Sequence, residues 1–167
     1  MKTKLVVLGT LLAGLTLFVW GGLVHTLLPM PAELLKDTKA LDSFLAAQVP
    51  YNGVFVDGRG VFMTVKMAPD KGPLENKMGT FLGIEFASNL LQALVLVLVF
   101  GRLKAMSVLQ YGVTGGLIGL IAWAGVDVSY WDWYGVGKAI LEEAFLDNVG
   151  GGFLSGMVIG WLINRQA

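Results

Sequence analysis

The sequence predicts an all-α membrane protein: a four-transmembrane-helix bundle with a small external insert, one helix plus a β-hairpin, between helices 1 and 2. Of its 167 residues, 55% are hydrophobic and only 14% are charged, whereas globular domains have about 25% charged residues. Stretches of about 20 apolar residues are typical of membrane spans. Four such stretches within a single membrane domain, residues 1–167, fall at about 5–28, 79–101, 105–126 and 149–164.

The first apolar stretch follows Lys2 and Lys4 and ends at Pro29 and Pro31, which cannot continue a helix. It is too long for the apolar region of a secretory signal, so we interpret it as a membrane helix. The polar insert 31–77 comes next. Its leucines and phenylalanine at helical spacing predict an amphipathic helix before Pro50. Alternating β-branched and aromatic residues then predict two strands, at 52–57 and 60–67, joined by a glycine-containing turn.

The second and third apolar stretches are joined by a short basic turn at 102–104. The segment 127–148 is expected outside the membrane, as a polar, aromatic turn (127–134) followed by a short amphipathic helix (135–148). The fourth stretch is short for a crossing, so it either begins within the preceding helix or lies in a thinned region of the bilayer. Gly150, Gly151 and Gly152 would then form a joint between the two helices.

The charges predict the orientation. Four spans place both termini on one side, and the basic residues of that side are Lys2, Lys4, Arg102, Lys104 and Arg165. Positive residues in short loops mark the cytoplasmic face. We therefore expect a multi-pass protein of the bacterial inner membrane with both termini in the cytoplasm, and with most tryptophans and tyrosines at the opposite interface as an aromatic belt.

Glycines recur every four residues on two of the spans. They are Gly152, Gly156 and Gly160 on the fourth, with Gly112 and Gly116, and also Gly115 and Gly119, on the third. Such spacing lets helix backbones approach closely in lipid. These glycines are expected either to pack the four spans together or to receive a neighbouring subunit.

A polar stripe on the second span is the strongest candidate site. Glu85, Ser88, Asn89 and Gln92 share one helix face. A carboxylate inside the hydrocarbon costs on the order of 2–3 kcal/mol unless it is paired or protonated. We therefore expect Glu85 to be shielded from lipid and hydrogen-bonded to His25, Asn89 or a group on the third or fourth span.

Further polar residues, His25, Asp127, Asp147 and Asn148, lie at the ends of the other spans that are expected on the same side. One interpretation is a pocket for a cation, a proton, a lipid headgroup or a small solute. The alternative is a structural clamp of polar residues that only fixes the order of the helices.

Several chemistries are disfavoured. The chain has no cysteine and a single histidine, which gives no basis for a haem, iron–sulfur or zinc site, so no metal and no cofactor are predicted. Its net charge is zero and no basic groove is evident, so nucleic acid is not an expected partner. Glu142 and Glu143 beside Asp147 could attract a divalent ion, although a solvated helix face is the simpler expectation.

Two short motifs carry a resemblance. The stretch Leu17-Phe18-Val19-Trp20-Gly21 followed by Leu27-Leu28-Pro29, and the run from Tyr130 to Gly135 with sequence YWDWYG, resemble a family of small uncharacterised bacterial inner-membrane proteins. The family has Asn where this chain has Asp132, and Phe-Pro where it has Val136-Gly137. The resemblance implies four spans with an external insert after the first, and it implies no catalytic residues.

Three classes of function follow as hypotheses. The first is a non-enzymatic accessory or scaffold subunit of a larger membrane complex or homo-oligomer, with the bilayer and other membrane subunits or further copies of itself as partners. The second is a protein that translocates a small solute, an ion or a proton through the pocket around Glu85. The third is a membrane enzyme acting on lipids, with an acid–base set drawn from Asp127, Asp132, Glu142 and His25.

Overall fold

The computed structural model describes residues 3–27, 43, 47, 53–56, 62–65 and 78–166. Four long helices dominate it: α1 (Thr3–Leu27), α2 (Met78–Phe100), α3 (Val108–Tyr134) and α4 (Lys138–Arg165). By length and composition each of them can cross a membrane. The predicted four-helix, multi-pass membrane architecture is confirmed at this level.

Helices α3 and α4 each contain one π-helical turn, Trp123–Asp127 in α3 and Leu146–Gly150 in α4. In α3 the α-helical parts are Val108–Ala122 and Val128–Tyr134. In α4 they are Lys138–Phe145 and Gly151–Gln166. Each helix therefore changes its hydrogen-bonding register once along its length, because a π turn pairs residues five apart instead of four.

The prediction of a turn at 127–134 is wrong, because the chain stays helical to Tyr134. It reverses instead at 135–137, where Gly135 has a φ of 64°. Glycine adopts this left-handed conformation without steric cost and commonly ends helices. Residues 150–152 are likewise helical throughout. The segment 127–148 is therefore mainly the extension of α3 and α4, with a connection of three residues.

The helices run up and down, and α1 and α4 occupy the centre of the bundle. Helix α1 packs against α2 on one side and α4 on the other, and α3 packs against α4. Helices α2 and α3 are consecutive in the chain but are not packed together along their length. They meet at one end, where the Phe100 and Tyr111 rings lie 5.4 Å apart. The core cluster consists of Ala13, Leu17, Ala93, Leu96, Val97, Phe100, Tyr111 and Ile159.

Glycines form the contact between α3 and α4, which we call the glycine seam. A Cβ added to Gly115 would lie 2.1 Å from the carbonyl oxygen of Gly152, and one added to Gly156 would lie 2.4 Å from that of Tyr111. Gly112, Gly119 and Gly160 are similarly confined by α4 or α3. Gly116 differs, because its nearest neighbours would be at ordinary distances of 3.5 Å. The seam glycines thus serve packing within the chain.

The two ends of the bundle differ in charge. One end is formed by the start of α1, the α2–α3 connection and the C-terminal end of α4. It carries Lys4, Arg102, Lys104 and Arg165, and no described acidic residue lies there. We call this the basic end. The opposite, acidic end carries the described carboxylates Glu85, Asp127, Asp132, Glu142, Glu143 and Asp147. This separation of charge matches the pattern that the sequence analysis used to orient the chain.

The insert between α1 and α2 is described only in small part. Two four-residue strands, β1 (Gly53–Val56) and β2 (Phe62–Val65), pair antiparallel with Gly53 opposite Val65. Strand β2 contacts the Val128–Tyr134 part of α3, at the acidic end. The amphipathic helix predicted before Pro50 falls largely outside the described residues. The insert as a folded external unit therefore stays a prediction.

Candidate functional site

A cavity of about 320 Å³ lies between α2 and α3, where these two helices are separated. We call it the α2–α3 groove. Its polar lining comes from α2 and α4 and consists of Glu85, Asn89, Gln92, Asp147 and Asn148. Its apolar lining consists of Leu17, Leu91, Val95, Leu96, Ile118 and Ala122, and seam glycines complete the wall. Along α2 the polar residues precede Val95 and Leu96, so the groove is polar toward the acidic end and apolar deeper in the bundle.

Helix α2 supplies one polar wall because Glu85, Asn89 and Gln92 recur at helical spacing. The Asn89 side chain is only 6% exposed, and its Nδ2 donates to Glu85 Oε1 at 3.2 Å. Glu85 itself is exposed. The expected hydrogen bond to Asn89 is therefore present, whereas the expected shielding of Glu85 within the chain is wrong. The Glu85 side chain is exposed because α3 does not cover this part of α2.

The π turn of α4 places Asn148 at the opposite wall. Its Nδ2 donates to Asp127 Oδ2 at 3.0 Å and to the Ala144 carbonyl oxygen at 3.0 Å. Ala144 lies one turn earlier in the same helix, at the point where the register changes. A π turn disturbs the regular pairing of backbone carbonyls, and here the Asn148 amide satisfies one of them. The same amide ties α4 to Asp127 of α3.

Asp147 enters the groove beside Asn148. On its other side it approaches α1, where a Cβ added to Gly21 would lie 3.2 Å from Asp147 Oδ1. Its carboxylate interacts electrostatically with His25, Glu85, Glu143 and Asp127. The structure therefore brings together the polar residues of α2 and α4 that the sequence analysis expected to converge. Asp147 belongs to this set as clearly as Asn148 does.

His25 pairs with Glu143 and not with Glu85. The contact joins His25 Nδ1 of α1 to Glu143 Oε1 of α4. Glu143 is 4% exposed, and its second oxygen, Oε2, is buried without a hydrogen-bond partner among the described residues. The His25 side chain remains 61% exposed. Of the alternative partners expected for Glu85, the structure therefore has Asn89 and not His25, because Glu143 lies one helical turn from Asp147 and faces α1.

Glu143 is the functional candidate that sequence reasoning missed. It was treated with Glu142 as part of a solvated face, and only Glu142 behaves in that way: its Oε1 lies 3.3 Å from Lys138 Nζ, with both side chains exposed. The missed signal was the four-residue spacing between Glu143 and Asp147. This spacing places both on one face once the helix is known to continue past residue 148.

The acid–base set drawn from Asp127, Asp132, Glu142 and His25 is not assembled. Glu142 pairs with Lys138 on the exposed face, His25 pairs with Glu143, and Asp127 accepts from Asn148. Across the described ranges, no group of three or more His, Asp or Glu side chains is arranged to hold a metal ion. What the described residues do form is a charged, polar groove with an apolar floor.

Two indole N–H groups hold the helices around the groove. Trp20 Nε1 of α1 donates to the Leu146 carbonyl at 3.0 Å, and Trp123 Nε1 of α3 donates to the Leu141 carbonyl at 3.0 Å. Both acceptors belong to α4. The part of α4 that carries Glu143 and Asp147 is therefore fixed to its neighbours by side-chain hydrogen bonds as well as by packing.

Comparison of the chain with protein-family models, curated proteins and solved structures finds no match.

Proposed function

We propose that this chain is a non-enzymatic membrane protein that binds a small amphiphilic molecule in the α2–α3 groove. One observation carries the proposal: a cavity of about 320 Å³ whose polar side chains all lie toward the acidic end, while from Val95 inward its lining on α2 is apolar. Small-molecule pockets have volumes of about 300–1,000 Å³ and combine apolar walls with a few polar groups. A molecule with a polar head and an apolar body matches this arrangement.

The groove supports lateral entry from the membrane. Leu91 and Val95, which line it on α2, are 64% and 51% exposed. In a bilayer these side chains would face lipid, because nothing in the described part of α3 covers them. An amphiphile already dissolved in the bilayer could therefore enter sideways without crossing the ends of the bundle.

The geometry favours binding over conduction. Beneath the polar residues the bundle is closed by the buried side chains of Val97, Phe100, Tyr111 and Ile159. A pathway for ions or protons needs polar groups or water along its whole length. The hypothesis of solute, ion or proton translocation thus receives support for its binding step alone, and transport stays a prediction.

The glycine seam weakens the hypothesis of an accessory subunit. That hypothesis was based on glycine faces that could receive a partner, and Gly112, Gly152, Gly156 and Gly160 are engaged in the glycine seam. Association with other membrane subunits or with further copies of the chain stays a prediction. The groove is the better-supported basis for function, because its volume suits a small molecule and a partner helix is far larger.

The proposal includes an orientation. We place the basic end in the cytoplasm of a bacterial cell and the acidic end, with the insert, on the other side of the inner membrane, since positive residues in short loops favour the cytoplasmic side. The chain has no cysteine, so Arg102→Cys and Asp132→Cys can each be labelled alone in intact cells with an impermeant maleimide. Labelling of Asp132→Cys but not of Arg102→Cys is expected. Labelling of both from outside would overturn the orientation.

The binding proposal is tested by filling the groove. Ala122 lines it, whereas Ala124, two residues along α3, is exposed and does not. Purified protein in phosphatidylcholine nanodiscs would be titrated with tritiated octylammonium, octanol and octanoate in a scintillation proximity assay. We expect saturable binding of at least one probe, weakened about tenfold or more by Ala122→Trp and unchanged by Ala124→Trp. Absence of saturable binding, or equal effects of the two variants, would refute the proposal.

A further inference from the structure

Given the proposed binding function, we infer that the ligand is a small organic cation that carries N–H donors, a primary ammonium or a guanidinium on a single apolar tail. Its head would lie between Glu85 of α2 and Asp147 of α4. Both carboxylates line the same groove from different helices, so one positive group placed between them can interact with both.

Charge is the first reason. The described lining of the groove contains two carboxylates and no Lys, Arg or His. His25, which can carry positive charge, pairs with Glu143 and does not line the groove. Two carboxylates at the edge of a low-dielectric region, with no cation in the described lining between them, are costly, and a cation bound between them relieves that cost. A neutral or anionic ligand would leave it in place.

The orientation of the amides is the second reason. Asn148 Nδ2 is committed to two acceptors, Asp127 Oδ2 and the Ala144 carbonyl. Because both partners accept hydrogen bonds, the amide nitrogen has to face them, which leaves Asn148 Oδ1 as the free end. In the same way Asn89 Nδ2 faces the Glu85 carboxylate, which leaves Asn89 Oδ1 free. The polar end of the groove thus presents two carboxylates and two amide oxygens as acceptors, and a ligand head rich in hydrogen-bond donors matches them.

An organic cation fits better than a bare metal ion. Within the described residues, no three acidic or histidine side chains come together as a metal-binding group. Deeper in the same groove lies an apolar surface of Val95, Leu96 and Ile118, which a hydrated ion would not use. An apolar tail attached to the cation would cover it and would gain about 25 cal/mol for each Å² removed from water.

A phospholipid is a poorer occupant for two reasons. Its phosphate would lie next to its amine, and therefore close to Glu85 and Asp147, where like charges repel. Its two long chains also exceed a cavity of about 320 Å³. The inference therefore commits to a single-tailed cation, and occupation by an amine-bearing phospholipid is an outcome that would contradict it.

The experiment compares three probes of equal chain length on the protein in phosphatidylcholine nanodiscs. Octylammonium supplies charge and N–H donors, octyltrimethylammonium supplies charge alone, and octanol is uncharged. We expect octylammonium to bind most tightly and octanol at least about tenfold more weakly, because hydrogen bonds to charged groups are each equivalent to about one to two orders of magnitude in affinity. Octyltrimethylammonium should fall between them.

Isosteric variants locate the head group. Glu85→Gln and Asp147→Asn should each weaken octylammonium binding about tenfold or more and change octanol binding little. Glu142→Gln, which removes an exposed carboxylate paired with Lys138 outside the groove, should change neither. Circular dichroism would verify that each variant is folded. Glu85 is exposed, so Glu85→Gln is expected to fold. This variant alone can decide the test if Asp147→Asn does not fold.

The outcomes separate this inference from the binding function on which it rests. If octanol binds as tightly as octylammonium and Ala122→Trp blocks both, the groove binds amphiphiles but the cation inference is wrong. If native mass spectrometry finds an amine-bearing phospholipid in the groove that octylammonium cannot displace, the choice of a single-tailed cation is wrong. If no probe binds saturably, the binding function itself fails.

Discussion

Replacing Gly115 with alanine tests the glycine seam directly. The added Cβ would lie 2.1 Å from the Gly152 carbonyl oxygen and 2.9 Å from its carbon. Ordinary van der Waals contact begins at 3.4 Å, so α3 and α4 would have to separate by more than an ångström. The obstructing atoms are backbone and cannot rotate away. Gly116→Ala is the matched control, since the next residue of the same helix meets its nearest neighbours at 3.5 Å.

The expected magnitudes follow from two opposing terms. Overpacking costs about 1–3 kcal/mol, while alanine is favoured over glycine in a helix by about 1 kcal/mol. Gly115→Ala should therefore lower the free energy of unfolding by up to about 2 kcal/mol. Gly116→Ala should leave it unchanged or raise it by up to about 1 kcal/mol. The two adjacent variants should thus differ by the overpacking cost, about 1–3 kcal/mol, with the Gly115 variant the less stable.

The assay is reversible unfolding in mixed micelles of dodecyl maltoside and sodium dodecyl sulfate, followed by circular dichroism. Gly119→Ala repeats the test one turn away, because its Cβ would lie 2.1 Å from the Asn148 carbonyl oxygen. Equal stability of the Gly115 and Gly116 variants, or a larger loss at Gly116, would refute the described seam.

Three further predictions concern side-chain hydrogen bonds and use the same unfolding assay. His25→Ala leaves the buried Glu143 carboxylate without its partner and should lower the free energy of unfolding by about 1–2 kcal/mol. Adding Glu143→Gln should recover part of that loss. If His25→Ala does not change the free energy of unfolding, the described pair is contradicted. Trp20→Phe removes the bond to the Leu146 carbonyl and should cost about 1 kcal/mol, whereas Trp133→Phe at an exposed site should cost less than half as much. Ser107→Ala removes the capping box that Ser107 forms with Gln110 at the start of α3 and should cost about 1 kcal/mol, with no loss expected for Ser129→Ala, whose hydroxyl bonds only within its helix.

The sequence was sufficient to predict the four helices, because an apolar stretch long enough to cross a bilayer has few other stable structures in lipid. The prediction from sequence was wrong at 127–134, where the polar and aromatic composition is typical of a turn but the residues continue α3 to Tyr134. The composition of a helix end at a membrane interface is close to that of a loop. The better signal was Gly135, a glycine in the position that commonly follows a helix.

The site was predictable within each helix and not between helices. Spacing alone predicted that Glu85 and Asn89 share a face, and they are hydrogen-bonded. The partner of His25 lies 118 residues away in the chain, so it depends on how α1 and α4 are rotated against each other. Spacing likewise could not reveal that α2 and α3, neighbours in the chain, are separated by a groove.

The contact of Phe100 with Tyr111 has a consequence for how the molecule can adapt. A short connection at 101–107 and these two rings hold α2 and α3 together at the basic end, while α2 otherwise rests mainly on α1. A tilt of α2 about this fulcrum changes the opening little near the rings and most at its far end, beside Glu85. For the proposed ligand, such a tilt would change the width available to the head group and leave the depth available to the tail unchanged.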